Sequence, residues 1–164
     1  MAGDRFGDLV NGYTAPAQLG IDRWSGLVAA WHQLKSAVIV VGCGTAITVD
    51  SVDLGGRHLG GVIFPGLSLA QESFYGATGV SRASAPAERQ VSAHDTAAAV
   101  ASGVRWSIAG GINELLKRLN IELGGAADVW FTGGDAAELL AYVDTEARLV
   151  DDLVYQGMVL LAEQ

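Results

Sequence analysis

The chain has 164 residues, half of them hydrophobic, and a net charge of −8 from 18 acidic and 10 basic residues. That length fits about one domain with an ordinary core, while the acidity argues against a non-specific nucleic-acid binder and the single cysteine, Cys43, excludes a disulfide framework. No apolar run reaches the length of a membrane span and the polar start lacks a signal-peptide core, so we expect a cytoplasmic protein without a membrane partner.

Helical periodicity alternates with short β-branched runs along the chain, after twenty residues of weak pattern. In chain order we expect a helix at 22–35, strands at 37–41, 45–52 and 57–64, a helix at 67–75, a polar loop at 78–94, a helix capped by Asp95 and running to about 119, a strand at 128–132, a helix at 135–142, a strand at 147–150 and a helix at 151–162. Gly55 and Gly56 are typical of a hairpin turn between the second and third strands.

This order predicts an α/β protein with a mixed five-stranded sheet flanked by helices. It matches one unit of the ribonuclease H-like fold, which actin, Hsp70-type ATPases and sugar kinases use in pairs around ATP. We expect residues 37–164 to form one complete C-terminal unit and residues 1–36 to be the remnant of a first unit. In such a remnant Trp24 and Trp31 would lack their native sheet partners and be exposed.

Glycine-rich turns contain the candidate phosphate contacts. Gly44 and Thr45 lie at a predicted hairpin, where backbone N–H groups and a hydroxyl can approach an anion. Asp50, on the strand that follows, could hold Mg²⁺ directly or through water. From composition alone, this segment favours a plain hairpin with a polar turn, because Gly-Thr turns are common.

A carboxylate and a guanidinium stand side by side at the start of the first long helix. Arg23 could fork onto the carboxylate of a small substrate, and Asp22 could take a proton from a hydroxyl that attacks phosphorus. The alternative is that Asp22 is a helix N-cap and Arg23 an exposed residue of the first turn.

Two further glycine turns have the same ambiguity. Residues 60–66 join a strand to a helix and could bring backbone close to a ligand or be an ordinary turn. Gly133 and Gly134 follow a strand at the sheet edge where nucleotides bind in α/β proteins, and Asp135 could equally be an N-cap there. Cys43 is expected to be a small buried residue, and the three separated histidines to have surface or packing roles.

Together these motifs occur in an order that resembles the type III pantothenate kinase family, also described as Bvg accessory factor-like proteins. The segments are NGYTAPAQLGIDRW at 11–24, GTAITVD at 44–50, GGVIFPGL at 60–67, DTAAAV at 95–100 and TGG at 132–134. Each segment alone is weak, whereas the ordered set covers nearly the whole chain.

The resemblance implies transfer of the ATP γ-phosphoryl group to pantothenate, the first step of coenzyme A synthesis, by a homodimer that uses ATP with Mg²⁺ or another divalent cation. It matches Asp22 with the general base and Thr45, beside Gly44, with an ATP-phosphate contact. Gly133 and Gly134 match the turn on the adenosine side. The pantothenate-binding positions it implies are Tyr13, Gly20, Ile21, Asp22, Arg23 and Thr96.

Two departures from the family pattern shape the expectations. Family members normally begin with an Asp-x-Gly-Asn-[Thr/Ser] phosphate motif that this sequence lacks, which predicts a truncated or split kinase with little activity alone. Many members also carry an aspartate for K⁺ or NH₄⁺ where this chain has Gly42, so the sequence does not favour a monovalent cation. The alternatives are a non-catalytic accessory or regulatory protein that keeps the kinase fold and, less favoured, another sugar-kinase-like ATPase.

Overall fold

Five strands form one mixed sheet in the computed structural model, which describes residues 1–80 and 91–163. A separate hairpin consists of β1 (Arg5–Phe6) and β2 (Leu9–Val10). The sheet strands are β3 (Val38–Cys43), β4 (Ala46–Val52), β5 (His58–Pro65), β6 (Asp128–Thr132) and β7 (Arg148–Leu149). The helices are α1 (Ile21–Leu34), α2 (Leu67–Thr78), α3 (Thr96–Glu122), α4 (Ala136–Leu140) and α5 (Leu153–Ala162).

The strand order is β5-β4-β3-β6-β7, with β3, β4 and β5 antiparallel and β6 and β7 parallel to β3. This confirms the predicted mixed sheet of five strands. β3 is a nearly continuous β-branched run because helices cover both of its faces. Its alternate residues divide between the two layers: Val38 and Val40 pack into one core cluster, and Ile39 and Val41 into the other.

Helices α1 and α5 pack together on one face of the sheet. A Cβ on Gly157 of α5 would lie 1.8 Å from the carbonyl oxygen of Ser25, so the glycine permits a very close approach of the two helices. The other face is covered mainly by α3, through Ile108, Ile112 and Leu116. No helix among the described residues is both long and apolar enough to cross a bilayer.

The expectation that Trp24 and Trp31 are exposed is wrong. Both indoles are buried in the core that α1 shares with the sheet and α5. The sheet residues of that core supply the partners that the prediction assumed were missing, and Asp8 accepts a hydrogen bond from the Trp31 indole at 2.9 Å. The α1 segment is therefore an integral layer of this fold.

Local signals were confirmed where capping or turn chemistry was specific. The Asp95 carboxylate accepts from the Ala98 N–H and caps α3, and Gly56 adopts a left-handed φ of 77° in the β4–β5 turn. Asp22, by contrast, is not an N-cap: Gly20 has that position and α1 begins at Ile21. The predicted 78–94 loop lies largely outside the described residues, since 81–90 are not described.

Candidate functional site

A buried ion pair joins the first turn of α1 to the middle of β4. Arg23 donates from Nε to Asp50 Oδ2 at 2.8 Å and from Nη2 to Asp50 Oδ1 at 2.6 Å. Their side chains are only 5% and 3% exposed. The pair is thus bidentate and almost fully desolvated, the arrangement in which a guanidinium and a carboxylate interact most strongly.

Tyr13 and His58 complete this group, which we name the Arg23 cluster (Tyr13, Arg23, Asp50 and His58). Arg23 Nη1 donates to the Tyr13 hydroxyl at 2.8 Å, and the guanidinium carbon lies 5.5 Å from the centre of the tyrosine ring. His58 Nε2 is 2.9 Å from Asp50 Oδ1, and its ring stacks on that of Tyr13 with centroids 5.7 Å apart. Four side chains from separate segments therefore support one another.

The backbone of β5 makes room for the cluster at Gly61. In the β4–β5 ladder Gly61 is the partner of Asp50, and a Cβ there would lie 2.3 Å from Asp50 Oδ1 and 2.7 Å from Arg23 Nη2. Any side chain would therefore displace the ion pair. Gly61 therefore lies close to the side chains of Asp50 and Arg23, and the approach of residues 60–66 to a ligand stays a prediction.

Asp22 and Arg23, which are adjacent in sequence, border the same small cavity of about 40 Å³. Thr48, Asp50 and Thr132 also line it. Asp22 is exposed, whereas Arg23 is buried, so the alternative of an exposed Arg23 is wrong. The cavity thus has an exposed carboxylate beside a desolvated guanidinium, and that carboxylate could accept a proton from a bound hydroxyl.

The charges of the cluster are balanced internally. Burial alone lowers the pKa of Arg23, but the hydrogen bonds and the charge of Asp50 outweigh that effect, so the net pKa of Arg23 is raised from its ordinary value. Both Asp50 oxygens accept hydrogen bonds from Arg23 or His58. Mg²⁺ at Asp50, expected from the sequence, would have to compete with the guanidinium, and the geometry gives it no support.

A second cavity, of about 320 Å³, opens beside the Gly44–Thr45 turn. We call it the Thr45 cavity; it is lined by Gly44, Thr45, Ser68, Leu69, Glu72 and Asp135. Ser68 and Leu69 belong to the first turn of α2, where the helix dipole and free N–H groups favour an anion. Hydroxyls from Thr45 and Ser68 add donors, while the two carboxylates could hold a divalent cation together with phosphate oxygens.

Two glycines pack against the backbone that leads into the Gly44–Thr45 turn beside the Thr45 cavity. A Cβ on Gly133, which has a φ of 105°, would lie 2.2 Å from the carbonyl oxygen of Cys43. A Cβ on Gly66 would lie 2.0 Å from the carbonyl oxygen of Gly44. These residues bring the ends of β3, β5 and β6 together, whereas Gly134 is open to solvent and has no such restriction.

Burial raises the pKa of two groups near this cavity. The pKa of the Asp135 carboxyl is raised, first by burial and then by the nearby charge of Glu138. The pKa of the Cys43 thiol is raised to about 12, first by burial and then by the charge of Asp135. A thiol with that pKa is not a nucleophile near neutral pH, which agrees with the expected role of Cys43 as a small buried residue.

Thr96 lies apart from the residues with which the resemblance groups it. It is the first residue of α3 and borders a third cavity, of about 480 Å³ and mostly apolar, together with Phe74 and Val100. Gly20 is the N-cap of α1 and Ile21 is 41% exposed beside it. Tyr13, Asp22 and Arg23 are thus brought together, and Thr96 is not.

Sequence reasoning missed His58 at the first site and Ser68 and Glu72 at the second. His58 is two residues before the Gly60–Gly61 pair, and only the β4–β5 register places it against Asp50. Glu72 lies one helical turn after Ser68, so an acidic residue near a helix start after a glycine turn was the available signal.

Comparisons with known proteins identify the family of the chain. A family model described as type III pantothenate kinase matches residues 2–118. The type III pantothenate kinase of Chromobacterium violaceum is 39% identical over 160 residues, covering 96% of this chain and 67% of the relative. That of Nitrosomonas eutropha is 35% identical over 153 residues, covering 92% and 60%. The chain thus spans about 60% to 67% of the length of these curated relatives.

Solved structures confirm the predicted ribonuclease H-like fold. A Baf family transcriptional activator from Campylobacter jejuni superposes with a TM-score of 0.61 at 29% identity, covering 92% of this chain and 67% of that one. The activator of 2-hydroxyisocaproyl-CoA dehydratase from Clostridium difficile superposes with a TM-score of 0.54, covering 86% and 65%; at 16% identity it shows the fold alone.

Proposed function

The chain belongs to the type III pantothenate kinase family, and on that premise we propose that it forms the pantothenate site and part of the ATP site of a kinase. The reaction transfers the γ-phosphoryl group of ATP to the hydroxyl of pantothenate and gives 4′-phosphopantothenate. The observation that carries the proposal is the placement of the Asp22 carboxylate at one small cavity with the Arg23 guanidinium. We further propose that residues 37–164 are one ribonuclease H-like unit onto which residues 1–36 bring the substrate motif.

Arg23 and Tyr13 are proposed to hold the carboxylate of pantothenate. Asp50 occupies the forked side of the guanidinium through Nε and Nη2, so a second bidentate carboxylate has no place there. A guanidinium carries more N–H donors than its bonds to Asp50 and Tyr13 use. The Tyr13 hydroxyl accepts from Arg23 and can donate its own hydrogen onward. Substrate recognition would then use Arg23 Nη1 and Tyr13 together.

Asp22 is proposed as the general base. It would accept the proton of the pantothenate hydroxyl as that oxygen attacks the γ-phosphorus, while the bond to the bridging β,γ-oxygen breaks and ADP leaves with the electron pair. Catalysis of phosphoryl transfer depends on positioning and charge neutralisation. The exposure of Asp22 leaves its carboxylate open to a ligand, unlike the fully engaged Asp50 nearby.

The Thr45 cavity is proposed to bind the phosphates of ATP. Support comes from the Thr45 and Ser68 hydroxyls and from the N-terminus of α2. Asp135 and Glu72 line the same cavity and would repel a triphosphate in the absence of a cation. They are therefore the residues we assign to Mg²⁺, which would neutralise phosphate charge when bound. Gly42 offers no side-chain ligand for K⁺ or NH₄⁺, so none is proposed.

A homodimer is proposed because the predicted pantothenate residues fall into two cavities. Thr96 shares an apolar cavity with Phe74, which is 42% exposed, rather than the cavity beside Arg23. A second copy packed on this apolar surface could bring its Thr96 to the Arg23 cluster of the first. The expected mass in solution is twice 17.0 kDa, and a monomer mass at high concentration would contradict the dimer.

The variant Asp22→Asn tests the proposed function. We expect pantothenate phosphorylation to fall by about 10²- to 10⁴-fold, with pantothenate affinity by calorimetry changed less than about threefold. The matched control is Asp128→Asn, because Asp128 is at the end of β6 opposite to Thr132, which lines the cavity. This variant should change neither the phosphorylation rate nor the pantothenate affinity. Pantothenate binding is measured in parallel by calorimetry, and absence of binding in the unmodified chain would refute the proposal.

A non-catalytic accessory protein is the second candidate. The observation that favours it is the 29% identity to a Baf family transcriptional activator. This candidate predicts that the unmodified chain does not phosphorylate pantothenate even at millimolar ATP and that Asp22→Asn has no effect. The exposed Asp22 beside a preorganised Arg23 favours the kinase.

A further inference from the structure

We propose that His58 is a positioning residue that holds Tyr13 and the Arg23–Asp50 ion pair in the arrangement that receives pantothenate. The inference deepens the proposed function and rests on it. His58 is the first residue of β5, its imidazole is fully buried, and it contacts both Asp50 and Tyr13. It is the one member of the Arg23 cluster to which neither the motifs nor the resemblance assigns a role.

The first part of the argument concerns the orientation of the Asp50 carboxylate. Oδ2 accepts from Arg23 Nε at 2.8 Å, and Oδ1 accepts from Arg23 Nη2 at 2.6 Å. His58 Nε2 is 2.9 Å from the same Oδ1. A carboxylate held by Arg23 alone can swing together with the long arginine side chain. A third bond from a residue fixed in the sheet pins the carboxylate, and through it the guanidinium.

The second part concerns Tyr13, which lies in a loop rather than in a helix or strand. Its ring stacks on the His58 imidazole at an interplanar angle of 14°. The preceding Gly12 is pressed against the same residue, because a Cβ there would lie 1.8 Å from the His58 carbonyl oxygen. The His58 ring thus supports the Tyr13 ring, and the His58 backbone supports the loop that carries Tyr13. Arg23 Nη1 donates a hydrogen bond to the tyrosine held in this position.

The tautomer of His58 follows from its other nitrogen. Nδ1 is buried, and among the described residues it has no hydrogen-bond partner. A hydrogen on Nδ1 would be a buried donor without an acceptor, which is costly, especially on a charged ring. We therefore place the hydrogen on Nε2, where it donates to Asp50. The ring then adds an oriented donor without adding charge beside Arg23.

Two substitutions separate the contributions of the ring and of the hydrogen bond. His58→Phe keeps an aromatic surface for Tyr13 and removes the donor to Asp50, whereas His58→Gln keeps an N–H donor and removes the ring. We expect His58→Phe to weaken pantothenate binding, measured by calorimetry, about tenfold, and His58→Gln, which loses only the ring that supports Tyr13, to weaken it about threefold. The control is His32→Phe, at an exposed position of α1, which should leave binding unchanged.

Nitrogen-15 NMR gives a readout that does not depend on pantothenate. Loss of the His58 donor should shift the Arg23 Nε–H signal in His58→Phe and leave it nearly in place in His58→Gln and His32→Phe. An unmoved Arg23 signal in folded His58→Phe, with unchanged pantothenate affinity, would overturn the inference. If the unmodified chain fails to bind pantothenate, the proposed function is wrong, and the Arg23 signal still decides whether His58 positions the pair.

Discussion

The Arg23 cluster and the Thr45 cavity are built by opposite means. In the cluster, buried side chains from α1, β4 and β5 bond to one another and leave little space. At the Thr45 cavity, tightly packed backbone around Gly66 and Gly133 supports an open pocket with exposed hydroxyls. The difference fits their proposed ligands, because a small substrate is recognised by preorganised charge, while a triphosphate needs backbone access and room for a cation.

The comparison also predicts where substitutions affect folding and where they affect binding. A change within the cluster leaves a charge or donor buried without its partner and should destabilise the fold. A change to an exposed hydroxyl of the Thr45 cavity should weaken phosphate binding and leave the stability of the fold unchanged. We expect Gly66 and Gly133, which pack against the backbone beside that cavity, to combine the two effects.

The largest stability effect is expected for Asp50→Leu. It leaves the buried Arg23 guanidinium without its counter-charge, and we expect the free energy of unfolding to fall by about 3–5 kcal/mol in urea titrations. The matched control is Glu114→Ala, which breaks the exposed pair with Arg118 and should cost less than about 1 kcal/mol. Equal losses of unfolding free energy in Asp50→Leu and Glu114→Ala would contradict the contrast between a buried and an exposed ion pair. Partial recovery of stability in the double variant Arg23→Leu/Asp50→Leu would support it.

A smaller loss is expected for Gly133→Ala. The backbone φ of 105° and the 2.2 Å approach to the Cys43 carbonyl oxygen both oppose a side chain, and we expect a cost of about 2–3 kcal/mol. Gly134→Ala, where a Cβ meets open space, should stay within about 0.5 kcal/mol. In the folded fraction, Gly133→Ala should lower ATP affinity more than pantothenate affinity. The reverse order would contradict a role of Gly133 in supporting the phosphate site.

Much of the fold was predictable because its signals are local. The β-branched run at β3, the helical periodicity of α3 and the Asp95 cap each depend on neighbouring residues, and each was confirmed. The β1–β2 hairpin was missed because strands of two residues are too short to show a period. The exposure of Trp24 was predicted wrongly because its burial depends on packing against the sheet and against α5, which is distant in sequence.

The candidate site was predictable only in part. Asp22 and Arg23 were found because they are adjacent, and Gly44 and Thr45 because glycine turns stand out. The partners of Asp50 depend on the β4–β5 register and on the start of α1, so the sequence offered a carboxylate and could not distinguish a metal ligand from an ion pair. Asp135 appeared as a helix cap, but its side chain makes no capping bond and instead lines the Thr45 cavity.

The central claim, that Arg23 and Tyr13 recognise the carboxylate of pantothenate, is tested most directly by comparing pantothenate with pantothenyl alcohol, in which a hydroxymethyl group replaces the carboxylate. In calorimetric titrations of the unmodified chain, we expect pantothenate to bind at least about tenfold more tightly, because charge-assisted hydrogen bonds to Arg23 are lost with the alcohol. Tyr13→Phe should narrow that ratio. Equal affinity for the two ligands in the unmodified chain would contradict the claim.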